Sequence, residues 1–111
     1  LLFIVDRTAP TVNIYFPKNY TVFDSCKVNI RWEGSDNVRI DHYAIKIDNN
    51  EWKEMYTTEC SLVLPAGKHI VYVRSYDALG NFDEKKVIFA SHYEQKNYIH
   101  ILDLENFIKK I

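Results

Sequence analysis

Glycine and proline are scarce in this chain, three of each among 111 residues, and cysteine is scarcer still at two. So few glycines leave no phosphate-cradling loop, and neither a Gly-x-Ser-x-Gly elbow nor a His-Glu-x-x-His pair occurs. The two cysteines, Cys26 and Cys60, are too few for a disulfide scaffold and lack zinc-type spacing, so they leave the redox compartment open. An excess of one charge is also missing. With 14 basic and 15 acidic residues the net charge is -1, which gives no electrostatic footprint for nucleic acid or anionic lipid. The longest opening apolar run, Leu1 to Val5, is far short of the roughly 20 residues that cross a bilayer and lacks the charged start and cleavage site of a signal peptide. His42, His69, His92 and His100 are scattered without metal-ligand spacing and read as surface residues. Asp83-Glu84 beside Lys85-Lys86 reads as a solvated strand edge. No constellation here points to catalysis or to a bound cofactor.

What is abundant is core material. Apolar residues make up 47% of the chain and aromatics 14%, enough for one two-layer domain and too little length for two. Alternation carries the rest. Val12, Ile14 and Phe16 share one face of a strand over 11–16, and Cys26, Val28, Ile30 and Trp32 share one face of the next. Tyr43, Ile45 and Ile47 alternate before the Asp48-Asn49-Asn50 turn that leads to Glu51 to Met55, and Cys60, Leu62 and Leu64 form a short strand ended by Pro65-Ala66-Gly67. From 69 to 77, Val71, Val73 and Ser75 face inward and Ile70, Tyr72, Arg74 and Tyr76 outward. Asp77-Ala78-Leu79-Gly80-Asn81 then closes a hairpin whose second strand buries Val87 and Phe89. The expectation is an all-β, antiparallel sandwich of about seven strands, followed by a short C-terminal helix. In that helix Asp103 is the cap and Leu104, Phe107, Ile108 and Ile111 form the apolar stripe.

Three motifs stand in order: Asp6-Arg7-Thr8-Ala9-Pro10 at the entry, Trp32-Glu33-Gly34-Ser35-Asp36-Asn37-Val38 with Ile40 and Tyr43, and Gly67 through Asp77-Ala78-Leu79-Gly80-Asn81. Together they resemble the immunoglobulin-like, fibronectin type III-like repeats of bacterial and archaeal surface proteins and secreted enzymes. The resemblance covers roughly residues 6–90 and implies service as a spacer, adhesion module or accessory domain, usually in tandem. On that reading residues 1–5 are the last strand of a preceding domain or a linker, and 91–111 form an extension outside the family pattern.

The resemblance also implies that the entry, the second-to-third strand loop and the last hairpin loop lie at one end. That would gather Asp6, Asp36, Asn37, Asp77 and Asn81, oxygen donors of the kind calcium takes. The competing account, which outweighs it, has these Asx residues bonding their own turns. Trp52, Tyr72 and Tyr76, with Tyr56, form a second candidate surface, either stacking on sugar rings or packing against protein. The tail helix is expected to lie over Ile70, Tyr72 and Tyr76. Asn19-Tyr20-Thr21 fits the N-glycosylation acceptor. Parity points both cysteines inward, yet near opposite ends, so two buried thiols are expected rather than a disulfide.

The functional expectation is a non-catalytic module of an extracellular or cell-surface protein, serving as a spacer or in adhesion or self-association, with neighbouring domains of its own chain as partners. Self-association would use Leu1 to Val5 as a strand added to another copy. The alternative is a carbohydrate-binding accessory domain of a secreted hydrolase. Richness in Ile, Lys, Glu and Tyr matches the bias of thermophilic proteins.

Overall fold

The computed structural model describes residues 9–36 and 39–93. Within them the chain forms eight strands: β1 (Thr11–Phe16), β2 (Thr21–Phe23), β3 (Lys27–Ser35), β4 (His42–Ile47), β5 (Lys53–Met55), β6 (Glu59–Val63), β7 (Gly67–Tyr76) and β8 (Phe82–Ser91). No helix occurs among the described residues. A three-stranded sheet in the order β1-β3-β6 packs on a five-stranded sheet in the order β2-β8-β7-β4-β5. The expected capped helix at 103–111 and the strand at 1–5 lie outside the described residues.

Period-two patterning explains the two layers. In β3, Val28, Ile30 and Trp32 are buried while Lys27, Asn29, Arg31 and Glu33 are exposed. In β7, Val71, Val73 and Ser75 are fully buried and the intervening residues only partly so. Facing each other across the sandwich, these sets join Val12, Tyr43, Ile45, Ile47, Leu64, Val87 and Phe89 in one core. The Trp32 and Tyr43 rings meet edge to face at 6.1 Å. The longest ladder is β7 with β8, paired from Gly67↔Ser91 to Tyr76↔Phe82.

One end of the sandwich is pinched shut. A Cβ on Gly34 would lie 2.9 Å from Tyr43 Cε1, 3.0 Å from the Thr11 carbonyl oxygen and 3.1 Å from Ser75 Cβ, so this strand position needs glycine for close approach rather than for backbone freedom. There Ser75 Oγ donates to the Thr11 carbonyl at 3.0 Å, and the Val12 amide donates to Asp83 Oδ2 at 3.1 Å. The first strand is thereby tied to both sheets.

Several expectations are corrected. There are eight strands rather than about seven, and the sandwich is not wholly antiparallel. After the Phe16–Thr21 connection the chain crosses to the other sheet, where β2 runs parallel to β8 from Thr21↔Phe89 to Phe23↔Ser91. Phe16 was expected inward with Val12 and Ile14, but the register slips between Ile14 and Phe16 and leaves Phe16 40% exposed. It packs edge to face on Phe23, which meets Phe89 in the same way. His69, read from sequence as a surface residue, is buried at 6% exposure.

Candidate functional site

At the pinched end the structure places Asp36, Asp77 and Asn81, while Asp6 and Asn37 lie outside the described residues. Asp77 is buried, and its carboxylate accepts from the Leu79 amide, the Asn81 amide and Asn81 Nδ2, each at 2.9 Å. The backbone adds Asp77 N to the Asn81 carbonyl at 3.0 Å and Gly80 N to the Asp77 carbonyl at 3.2 Å, with Gly80 at φ 88°. Asp36 Oδ2 accepts from the Arg39 amide at 3.2 Å, and its Oδ1 is buried without a hydrogen bond. These oxygens shape turns, as Asx side chains do. Among the described residues no group of three His, Cys, Asp or Glu side chains is arranged to hold a metal ion.

The second candidate lies on the outer face of the five-stranded sheet, where the register brings Trp52, Tyr72 and Tyr76 into one aromatic and cationic ladder. His42 opposes Tyr76 across β4 and β7, and their rings stack at 4.6 Å and 8°. Tyr76 also touches Phe82 at 5.2 Å. The Arg74 guanidinium lies 4.1 Å from the Trp52 ring centre and 4.3 Å from that of Phe82, held by Glu84 at 2.7 Å and the Tyr76 hydroxyl at 2.9 Å. Lys46 sits over Tyr72 at 5.3 Å and over Trp52 at 5.8 Å. Trp52 and Tyr72 meet at 6.3 Å and 60°. The three rings are half-buried, and each carries a histidine or a cation on a face. Cation–π contacts of this kind stabilise a surface.

The outer face of the three-stranded sheet is of opposite character. Polar pairs cross all its strands: Thr11 with Ser35 at 2.7 Å, Tyr15 with Glu33 at 2.9 Å, Arg31 with Glu59 at 3.4 Å, and Ser61 with Asn29 at 2.5 Å. The two cysteines sit near this sheet's inner side, half-buried and unpaired. Cys60 pairs in register with Ile30, four residues along β3 from Cys26, a separation of roughly 13 Å that no disulfide spans. Burial pushes the Cys60 thiol above its usual range, opposed by the Lys53 charge. Asn19 is exposed, and its Oδ1 accepts from the Ile88 amide at 3.0 Å.

A cluster that the motif search missed lies at the far end. His69 Nδ1 is 2.7 Å from Asp48 Oδ2, and its Nε2 is 2.7 Å from the Pro65 carbonyl oxygen. Burial acts against the charged ring, but the Asp48 carboxylate and the Pro65 carbonyl outweigh it and raise the pKa above the ordinary histidine value. Parity held the signal: His69 is in step with Val71, Val73 and Ser75 on the inward face of β7.

No protein-family model matches the sequence, and no curated protein does. Among solved structures, the fibronectin(III)-like modules of CbhA from Clostridium thermocellum superpose with a TM-score of 0.65 at 19% identity, over 77% of this chain. The match covers 47% of that chain, so the present one spans about half its length. CopC from Methylosinus trichosporium OB3b matches at a TM-score of 0.41 and 18% identity, over 70% of this chain and 86% of CopC. Layer order, register and the CbhA superposition agree that this chain has the fold of a fibronectin(III)-like module.

Proposed function

We propose that this chain is a non-catalytic spacer module within an extracellular or cell-surface protein. The observation that carries the reading is where the strands start and stop. β1 starts at the pinched end, where Val12 meets Asp83, and β8 ends at Ser91 opposite Gly67. Asp83 and Ser91 lie eight residues apart on one extended strand, so entry and exit are separated by roughly 26 Å. A module whose chain enters at one pole and leaves at the other lengthens a polypeptide by a fixed step, and a two-sheet core keeps that step stiff. The likeness to CbhA modules supports the same use.

The carbohydrate-binding alternative gains less from the geometry. A sugar ring stacks on an open aromatic face, whereas Trp52 lies under Arg74 and Tyr76 under His42. The deciding experiment replaces residues 10–92 in the full-length protein with an unrelated fibronectin-type sandwich of equal pole-to-pole length, alongside a plain deletion. A spacer predicts that the replacement restores the attachment or activity lost in the deletion. Failure of the replacement to restore it, together with retention of this domain on a glycan array, would establish a binding role instead.

A further inference from the structure

We infer that His69 is a protonation-dependent clasp that fastens the exit pole of the sandwich. Both ring nitrogens lie 2.7 Å from oxygen acceptors, Asp48 Oδ2 and the Pro65 carbonyl. A neutral imidazole has one N–H and one lone pair, so either tautomer would aim a lone pair at one of these oxygens. Neither a carbonyl nor a carboxylate can donate. Only the imidazolium, with two N–H donors, satisfies both contacts at once.

The clasp ties β7 to the β4–β5 turn, 21 residues earlier in the chain, and to the β6–β7 connection just before it. Asp48 sits in the β4–β5 turn with φ 53°, receives the Ile70 amide on Oδ1 at 2.8 Å, and donates its own amide to the Ile70 carbonyl at 2.8 Å. Pro65 belongs to the β6–β7 connection, and its neighbour Leu64 accepts the Tyr93 hydroxyl at 3.0 Å just past the end of β8. Below Leu64 the chain is held by its amide donating to the Cys26 carbonyl at 2.8 Å. The ring of Phe89, from β8, covers the imidazole at 5.9 Å. Of the elements packed on His69, the β4–β5 turn supplies the carboxylate, the β6–β7 connection a carbonyl and β8 an apolar ring. On β7 itself the adjacent Lys68 is exposed and alternates to the opposite face.

Loss of the proton removes one of the two bonds and leaves a lone pair facing an oxygen in a buried site. The folded-state pKa stands above that of the unfolded chain. The stability this group supplies is therefore full below the unfolded value and disappears as the pH rises through the folded one. The clasp closes in mildly acidic surroundings and loosens in alkaline ones.

Nitrogen-detected NMR of the imidazole rings across pH 5 to 9 is the primary test. In the unmutated protein His69 should carry protons on both nitrogens at pH 6 and titrate above a histidine in an unfolded peptide. Hydrogen exchange supplies the second reading: protection of the Ile70 amide, corrected for intrinsic base catalysis, should be lost progressively as the pH passes that midpoint. In His69→Gln the protection should be low and independent of pH, and in Asp48→Asn the ring should titrate lower. A single neutral tautomer at pH 6 would overturn the inference, as would identical Ile70 protection profiles in the wild type and His69→Gln. Should either variant fail to fold, the ring spectrum of the wild type decides alone.

Discussion

Glycine 34 shows how a single missing methyl group decides how near two sheets approach. Two of the three atoms that an added Cβ would meet are a backbone oxygen and a Cβ, neither of which can swing aside. Gly34→Ala is expected to cost about 1–3 kcal/mol, as overpacking of a closed interior does, read from urea midpoints at unchanged slope. An unchanged midpoint would mean the pinch relaxes freely. Asp83 makes the complementary case for charge. Burial alone would push its carboxyl up, but Lys85 at 2.8 Å and the Val12 amide hold it below the usual carboxylate range. A folded pKa below the unfolded one stabilises above the unfolded value and is lost as pH falls through the folded one. Asp83→Asn should therefore melt lower than wild type at pH 7, and the gap should close as the pH falls below the ordinary carboxylate range and through the folded value. A gap that persists in acid would assign the effect to packing.

At the scale of strands, stability should follow pairing. β7 is bonded to β8 along its whole length and to β4 from Val71 to Tyr76, whereas β2 and β5 are three-residue edges. Native-state hydrogen exchange should find the slowest amides at Val71 to Ser75 and the first local openings in β2 and β5. Equal protection in β5 would contradict this order. The same contrast explains what could be read from the residues beforehand. β3 and β7 were legible because their two faces meet different surroundings, core on one side and water on the other, and alternation records that. β2 was not: Thr-Val-Phe is too short to show a period, and its parallel partner lies 68 residues downstream in the pair Thr21↔Phe89. Phe16 misled because counting by twos assumes an even ladder, and the β1 register slips just before it. The turn-bonding role of Asp77 was legible from Asx chemistry. The partners of His69 were not, since the carboxylate comes from a turn 21 residues away and the other acceptor is a backbone carbonyl, which no residue type announces.

Over the whole molecule the two outer faces diverge, one laced with hydroxyl, amide and carboxylate pairs, the other with rings and cations. The poles diverge too. One is closed by Gly34 and the Asp77 turn, the other by His69. Spin labels at Thr11 and His92, both exposed, should report one narrow distance distribution centred at roughly 25–30 Å. A broad distribution, or one centred below 15 Å, would show the two ends folding back together and would remove the basis for a fixed step.

The crossing of the chain between Phe16 and Thr21 has a consequence for how the molecule comes apart. Within thirteen residues the polypeptide lays an edge strand on each layer, so it works as a seam sewn through both cloths. A fragment starting at Ser25 would strip a margin from the two sheets together, uncovering Phe89 on one side and the flank of Trp32 on the other. Proteolytic trimming from the front would thus unravel the fabric at once instead of shortening it by degrees.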